Sequence, residues 1–326
     1  MKVLICDYKE ELNRDIEYEK EVLINNLKDN EVQIEVYPFE NKEKLKEKIR
    51  DADVLLTAFI EIDEEVLRAA KKLRLISVNA AGYGAIDIDY AAAKNIAVCN
   101  VAEYCTQEVS EHVLSLILAL SRNLKGYVKD VEERKRWSYL TKNSVRRLEG
   151  QTLGIFGLGK IGQAVAKRAQ GFGIKVIAVD PFLPKEIAEN LGVELVDKEY
   201  ALKNSDIISN HMNVTAENKQ YFTMEEFKLM EKHPIFINAG RGVAVNEADL
   251  LAALNKKIIR GAGLDVLDSE NPDLNKCEFL NRDNVIVTPH AAFYSENSMR
   301  ELQKISCENI IHFFNGEKDK VFRIVN

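Results

Sequence analysis

A glycine-rich segment between two apolar runs is the feature that most constrains the fold of this chain. Residues 153–180 read LGIFGLGKIGQAVAKRAQGFGIKVIAVD, with Gly157, Gly159 and Gly162 spaced as G-x-G-x-x-G. An apolar run of strand length precedes the glycines, a helix-periodic stretch follows them, and a second apolar run ends at Asp180. This order predicts a strand, a tight turn, a helix and a parallel strand, as in a doubly wound α/β domain.

The residue types at these positions suit a bound dinucleotide. Gly157 permits the tight turn, Gly159 lets the backbone approach a pyrophosphate, and Gly162 lets the helix pack closely on the strand. The helix N-terminus adds unpaired N–H groups and a partial positive charge. Asp180, 18 residues after Gly162, can accept the ribose hydroxyls of NAD and would repel a 2′-phosphate. We therefore predict NAD as the cofactor, although glycines so spaced also mark ordinary turns.

The composition is that of a soluble globular protein with room for two domains. The chain has 326 residues, of which 46% are hydrophobic and 30% charged. No apolar run approaches the ~20 residues of a membrane span, and the net charge of −7 argues against nucleic acid as a partner. The N-terminal segment becomes acidic at Asp7, so we expect a first β-strand there and no signal peptide. The five cysteines form no CxxC motif. We expect a cytoplasmic protein with no metal site.

Short apolar runs alternate with charged, helix-periodic stretches, which predicts parallel sheets covered by helices. One long helix is expected over about 107–133, with Thr106 as its N-cap. The predicted strands are 2–6, 33–37, 54–57, 75–78, 97–100, 153–156, 175–179, 207–209, 235–238, 263–266 and 285–288.

Polar residues follow four of the later strands. They are His211 and Thr215 after 207–209, Arg241 after 235–238, Asp265 within 263–266, Glu270 beyond it, and His290 after 285–288. Because ligands bind outside the carboxyl ends of parallel strands, we expect these side chains in one site. A histidine can protonate a developing alkoxide, a carboxylate can favour its imidazolium form, and an arginine can hold a substrate carboxylate. The set therefore predicts reduction of a 2-oxo acid by NADH, and its reverse.

Several segments resemble the D-isomer-specific 2-hydroxyacid dehydrogenases, closest to the C-terminal-binding-protein-like and D-lactate dehydrogenase-like branches. The matching segments are VNAAGYGAIDIDYAAAKNIAVCN at 78–100, RRLEGQTLGIFGLGKIG at 146–162, INAGRG at 237–242, GAGLDVLDSENP at 261–272 and NVIVTPHAAFYS at 284–295. The resemblance implies two Rossmann-like parallel-sheet domains, one flavodoxin-like and one doubly wound, with the active site in the cleft between them. Residues 1–101 and 296–326 would form the substrate-binding domain, residues 102–295 the NAD-binding domain, and the helix after residue 106 would pack in a homodimer.

The resemblance also implies a role for each matching residue. The implied catalytic group is Arg241, which binds the substrate, Glu270, which pairs with the histidine, and His290, which is the acid/base. The implied substrate contacts are Ala81, Gly82 and Tyr83 through their backbone, and Tyr104 in the pocket wall. The implied cofactor contacts are Gly157, Gly159, Lys160, Ile161, Asp180, His211, Asn213, Thr215, Ala239 and Asp265.

Departures from the family pattern bear on the substrate. Val78 stands where some branches carry a substrate-contacting arginine, and Phe293 and Tyr294 follow the histidine. Both features favour a medium-sized or apolar 2-oxo acid over a phosphorylated one. Two alternatives stay open: an NADH-sensing, corepressor-like binding protein with little catalysis, and a glyoxylate or hydroxypyruvate reductase.

Overall fold

The computed structural model describes residues 1–28, 31–101, 103–141, 143–215 and 218–326. They fall into two compact units. Unit 1 comprises Met1–Tyr104 and Ser295–Asn326, and unit 2 comprises Cys105–Tyr294. The predicted start of the second domain, residue 102, lies outside the described residues.

Unit 1 is built on a parallel sheet in the order β2-β1-β3-β4-β5. This order is the flavodoxin-like one, in which the chain reverses direction across the sheet at β1 and β3. Its elements are β1 (Lys2–Asp7), α1 (Ile16–Asn26), β2 (Gln33–Pro38), α2 (Lys42–Ile49), β3 (Val54–Thr57), α3 (Glu64–Ala69), β4 (Leu75–Val78), α4 (Ile88–Ala93), β5 (Ala97–Cys99) and α12 (Glu296–Phe314).

Alternate side chains of the unit 1 strands enter different apolar cores on the two faces of the sheet. Leu4 and Leu55 pack in one core, whereas Val3 and Leu56 pack in the other. All four side chains are fully buried, and each contributes about 1.5–3 kcal/mol relative to an exposed position. Strands buried on both faces explain why the sequence shows continuous apolar runs here and no polar alternation.

Unit 2 contains a seven-stranded parallel sheet in the order β12-β11-β10-β9-β6-β7-β8. The chain reverses direction at β6 and β9, so the sheet is doubly wound, as predicted. Its elements are α5 (Thr106–Ser121), α6 (Leu124–Glu132), β6 (Thr152–Phe156), α7 (Lys160–Gln170), β7 (Lys175–Val179), α8 (Lys185–Asn190), β8 (Glu194–Leu195), α9 (Lys198–Asn204), β9 (Ile207–Asn210), α10 (Met224–Lys228), β10 (Ile235–Asn238), α11 (Glu247–Asn255), β11 (Gly261–Leu264) and β12 (Val285–Val287).

The prediction of one long helix after residue 106 is wrong, because the chain forms α5 and α6 with a break at Asn123. Asn123 has a φ of +52°, in the left-handed region that ends a helix. Its side chain donates to Thr141 and accepts from Asn143, so it takes part in the fold of a later loop. Thr106 is the first residue of α5, and Cys105 occupies the N-cap position.

None of the helices in the described residues combines the length and the apolar character that crossing a bilayer requires.

Candidate active site

The turn after β6 has the geometry of the predicted dinucleotide loop. Gly157 has a φ of +90°, and a Cβ there would lie 2.9 Å from the carbonyl carbon of His211. A Cβ at Gly162 would lie 2.3 Å from the carbonyl oxygen of Gly157, so α7 can approach the turn this closely only with glycine. Gly159 faces open space, because nothing lies within 4 Å of the position of its Cβ. The N-terminus of α7 is therefore open to a pyrophosphate, and the residues present fit a dinucleotide.

Asp180 follows β7 and is tied to the same turn through its carboxylate. Oδ2 accepts a 2.8 Å hydrogen bond from the backbone of Leu158, and Oδ1 accepts bonds of 3.0 and 3.1 Å from the N–H groups of residues 182 and 183. A carboxylate fixed in this position offers acceptors to ribose hydroxyls and a negative charge against a 2′-phosphate. Lys160 and Ile161 are the first residues of α7, where Lys160 is exposed and Ile161 packs partly on the core.

The segment after β9 lies against the glycine turn. The backbone N–H of His211 donates to the carbonyl oxygen of Phe156 at 2.8 Å, and its ring Nε2 lies 2.8 Å from Oγ of Ser209. Burial lowers the pKa of His211 to about 4, so its imidazole is neutral at physiological pH. Further along, the Asn213 carbonyl and the Thr215 N–H both bond the Asn218 side chain, which closes the exposed part of this loop.

Two asparagines that the sequence reasoning missed hold the ends of β9 and β10 together. Nδ2 of Asn210 donates to Oδ1 of Asn238 at 3.0 Å, and both side chains are buried. Nδ2 of Asn238 in turn donates to the Arg241 carbonyl oxygen at 3.1 Å, across the turn that contains Ala239. The guanidinium of Arg241 is exposed and donates to the carbonyl oxygen of Gly240 at 2.8 Å. The amide pair therefore fixes the backbone from which Arg241 projects.

Asp265 lies one residue beyond β11 and organises the next loop. It is 1% exposed, and its carboxylate accepts from Oγ1 of Thr288 at 2.6 Å and from the N–H groups of Ala291 and Ala292 at 2.9 and 3.0 Å. Its carbonyl oxygen accepts from the backbone N–H of His290 at 2.7 Å. Four hydrogen bonds thus connect Asp265 to residues 288–292.

His290 is held in an unfavourable backbone conformation next to Glu270. Its φ is +50°, which costs a non-glycine residue about 1–2 kcal/mol. Its ring Nδ1 lies 2.8 Å from Oε2 of Glu270. Because a carboxylate accepts hydrogen bonds, Nδ1 carries the proton and Nε2 is the atom that can meet a ligand. Glu270 is 67% exposed, so water screens the pair, and its effect lies in orienting the ring more than in stability.

The predicted residues of unit 2 therefore meet along one edge of its sheet. A chain of hydrogen bonds connects β6 to His211, Asn210 to Asn238, Asn238 to Asp265 through their backbones at 2.9 Å, and Asp265 to His290. Of the described residues, none forms a cluster of three His, Cys, Asp or Glu side chains that could hold a metal ion.

The predicted substrate contacts lie in unit 1, in the loop after β4 and at the end of that unit's first segment. The carbonyl oxygen of Ala81 accepts a 2.7 Å bond from Nδ2 of Asn100, a buried residue that the sequence reasoning missed. Gly82 is exposed, with open space where a side chain would lie. Tyr83 packs partly on the core of unit 1, and Tyr104 is half-buried.

Two features bear on the expected substrate. Val78 is fully buried in a core of unit 1, so its side chain contributes packing, and the expectation drawn from the missing arginine at this position stays a prediction. Phe293 lies edge-on to the His290 ring with 6.2 Å between ring centroids, and Tyr294 is 67% exposed. Phe293 therefore lies beside the predicted acid/base.

The amino-acid sequence is similar to those of known proteins. Residues 114–292 match the NAD binding domain of the D-isomer specific 2-hydroxyacid dehydrogenases. D-3-phosphoglycerate dehydrogenase of Methanocaldococcus jannaschii is 37% identical over 287 residues, which cover 87% of this chain and 54% of that relative. The chain thus spans about half the length of that protein. Glyoxylate reductase of Thermococcus litoralis is 37% identical over 280 residues, or 84% of each chain.

A solved structure extends the similarity to the whole fold. The D-lactate dehydrogenase from Aquifex aeolicus, complexed with NAD and lactic acid, has a TM-score of 0.83 at 27% identity over 98% of this chain and 97% of that chain. The matched domain confirms NAD as the cofactor. This chain belongs to the D-isomer specific 2-hydroxyacid dehydrogenase family, whose members are NAD-dependent oxidoreductases acting on 2-hydroxy acids.

Proposed function

We propose that this protein interconverts a 2-oxo acid and its D-2-hydroxy acid. The observation that carries the proposal is the 2.8 Å hydrogen bond between Glu270 and Nδ1 of His290, on a loop that Asp265 holds in place. When bound, the nicotinamide supplies or accepts the hydride. The chain's own contribution is to bind the acid, orient it and move one proton.

His290 moves that proton. Glu270 accepts a hydrogen bond from Nδ1–H and so fixes the tautomer and the ring plane, which leaves Nε2 to face the substrate oxygen. During reduction the protonated Nε2 donates to the developing alkoxide, and in the reverse reaction the neutral Nε2 takes the hydroxyl proton. Whenever the ring is charged, Glu270 stabilises the charge.

Arg241 binds and polarises the substrate. Its exposed guanidinium can hold a carboxylate in a planar, bidentate arrangement, and the buried Asn238 amide keeps its backbone fixed. We also assign the backbone of residues 81–83 and the side chain of Tyr104 to substrate binding. On this assignment unit 1 is the substrate-binding domain and unit 2 the NAD-binding domain.

The substrate class we propose is a medium-sized or apolar 2-oxo acid. Phe293 contacts the His290 ring, so an apolar surface stands beside the acid/base and favours a carbon side chain over a phosphate. Glyoxylate is the alternative that the names of four relatives support.

The test is NADH oxidation at 340 nm with pyruvate, 2-oxobutyrate, 2-oxoisocaproate, phenylpyruvate, glyoxylate and hydroxypyruvate, with NADPH in parallel. We expect turnover with NADH, fastest for one of the apolar acids, and a D-hydroxy acid as the product. Fastest turnover of glyoxylate would move the assignment to a glyoxylate reductase. Tight NADH binding without turnover of any acid would contradict the proposal and favour an NADH-sensing protein.

We also propose that the protein is a cytoplasmic homodimer joined through the surface around α6. Leu124, Val128 and Val131 on this helix are about half exposed, and Trp137 and Leu140 after it are 91% and 67% exposed. An apolar surface of this kind is typical of an interface. Light scattering should give twice the chain mass of 37.0 kDa, and Leu140→Ser with Trp137→Ser should give monomer. A wild-type monomer at micromolar concentration would refute the assembly. Cell fractionation tests the location and should recover the protein in the cytoplasmic fraction.

A further inference from the structure

A second histidine of unit 2 contacts the segment that carries His290. His112 projects from α5, which packs against β10, β11 and β12. Its side chain is 23% exposed, and Nε2 lies 3.0 Å from Oγ1 of Thr288 and 3.5 Å from Oδ1 of Asp265. Neither the sequence motifs nor the proposed mechanism gives His112 a role.

Counting protons fixes the direction of these hydrogen bonds. The Thr288 hydroxyl has a single proton. Its Oγ1 lies 2.6 Å from Oδ1 of Asp265, and since a carboxylate can only accept, the hydroxyl donates its proton to that hydrogen bond. The hydroxyl oxygen must therefore accept at its other contact, so Nε2 of His112 carries a proton and donates it. In this arrangement His112 sets the orientation of the Thr288 hydroxyl, which in turn occupies one oxygen of Asp265.

We propose that His112 is a positioning residue for His290, acting through Thr288 and Asp265. Asp265 binds the N–H groups of residues 290–292, and the left-handed backbone of His290 needs such restraint. The 16-residue helix α5 gives this network a fixed anchor. The inference rests on the proposed function, because it assigns His112 to the loop that carries the acid/base.

The kinetic test compares a substitution that keeps a donor with one that removes it. His112→Gln places an N–H near the Nε2 position, whereas His112→Leu fills similar space without a donor. We expect His112→Leu to lower kcat about tenfold or more with little change in the Kd for NADH, because a small displacement of an acid/base impairs turnover before binding. His112→Gln should restore kcat to within about threefold of wild type.

A double-mutant cycle then separates the hydrogen bond from packing. Thr288→Val removes the hydroxyl, and the double variant with His112→Leu should be no slower than the worse single variant if the two act as one unit. Unchanged kcat in His112→Leu, equal loss in both His112 variants, or fully additive losses would each overturn the inference.

A second measurement does not depend on turnover. Long-range ¹H–¹⁵N spectra resolve the imidazole nitrogens of the five histidines, and His112 is assigned by its loss in His112→Gln. We expect a protonated Nε2 at pH 7.5, and an unprotonated Nε2 would overturn the inference whatever the activity. A wild-type enzyme without turnover on any acid would instead refute the proposed function, while the spectrum still decides the direction of the hydrogen bond.

Discussion

Two glycines flank Arg241, and the structure predicts very different consequences for their replacement. A Cβ at Gly242 would lie 1.8 Å from the carbonyl oxygen of Leu267, a backbone atom that cannot rotate away. A Cβ at Gly240 would lie 3.3 Å from its nearest neighbours, on Asn210. Since ordinary contacts of this kind are about 3.4 Å or longer, Gly242→Ala forces the two backbones apart by roughly 1.5 Å, whereas Gly240→Ala requires only a few tenths of an ångström.

This displacement would move the segments that carry Arg241 and Glu270. Gly242 adjoins Arg241, and Leu267 lies between Asp265 and Glu270. We expect Gly242→Ala to destabilise unit 2 by about 1–3 kcal/mol and to lower kcat/KM for the 2-oxo acid about 100-fold. Gly240→Ala, the matched control, should stay within about threefold of wild type.

The assay is NADH oxidation at 340 nm with varied 2-oxo acid, accompanied by thermal melts and NADH titration of each variant. The melts show whether a slow variant is folded, and the titration shows whether its cofactor site is intact. Wild-type kinetics and melting temperature for Gly242→Ala would refute the placement of Gly242 against the Leu267 backbone. Equal losses in the two glycine variants would refute the argument from the Cβ distances.

Two further predictions concern the cofactor side of the site. The pKa of His211 is about 4 in the folded state against an ordinary 6.5. Between these two values, the unfolded state therefore binds more protons than the folded state as the pH falls. The free energy of unfolding should therefore fall by about 2 kcal/mol between pH 7.5 and 5.0 on account of this group, and urea unfolding of His211→Gln should lack that part of the loss; an identical pH dependence in both proteins would refute it. Asp180→Asn removes the charge that opposes a 2′-phosphate, so the ratio of the Kd for NADPH to that for NADH should fall about tenfold, and an unchanged ratio would contradict the assignment.

The parts of the fold that follow from short sequence segments were predictable. The G-x-G-x-x-G motif lies within a stretch of 28 residues that contains β6, α7 and β7. Local pattern and spacing were therefore enough to place Gly157 and Asp180 at the ends of these strands. The strands before Arg241 and His290 were predicted to within a residue, because buried parallel strands read as apolar runs. Because ligands bind at the carboxyl ends of such strands, these residues could then be predicted to lie at one edge of the sheet.

Features that depend on distant residues were not predictable in this way. Asparagine tolerates the left-handed backbone that Asn123 adopts, but its side-chain bonds to Thr141 and Asn143 join residues far apart in the sequence. The Asn210–Asn238 amide pair requires β9 and β10 to be neighbours, and strand order is a property of the whole sheet.

Contacts of single side chains were the least predictable. Asn100, which holds the Ala81 carbonyl, was not identified from the sequence, because its partner lies 19 residues earlier. His112 and Thr288 are 176 residues apart, so no local pattern connects them.

The most direct test of the central claim, that His290 is the acid/base, compares two histidines with the same backbone. His290 and His233 both have a φ of +50°, a conformation that asparagine tolerates, and His233 lies on the surface, bonded to backbone carbonyls at 257 and 258. His290→Asn should lose at least about 100-fold in kcat while binding NADH as wild type does, and His233→Asn should keep full activity. A His290→Asn enzyme that turns over the best 2-oxo acid at the wild-type rate would contradict the account.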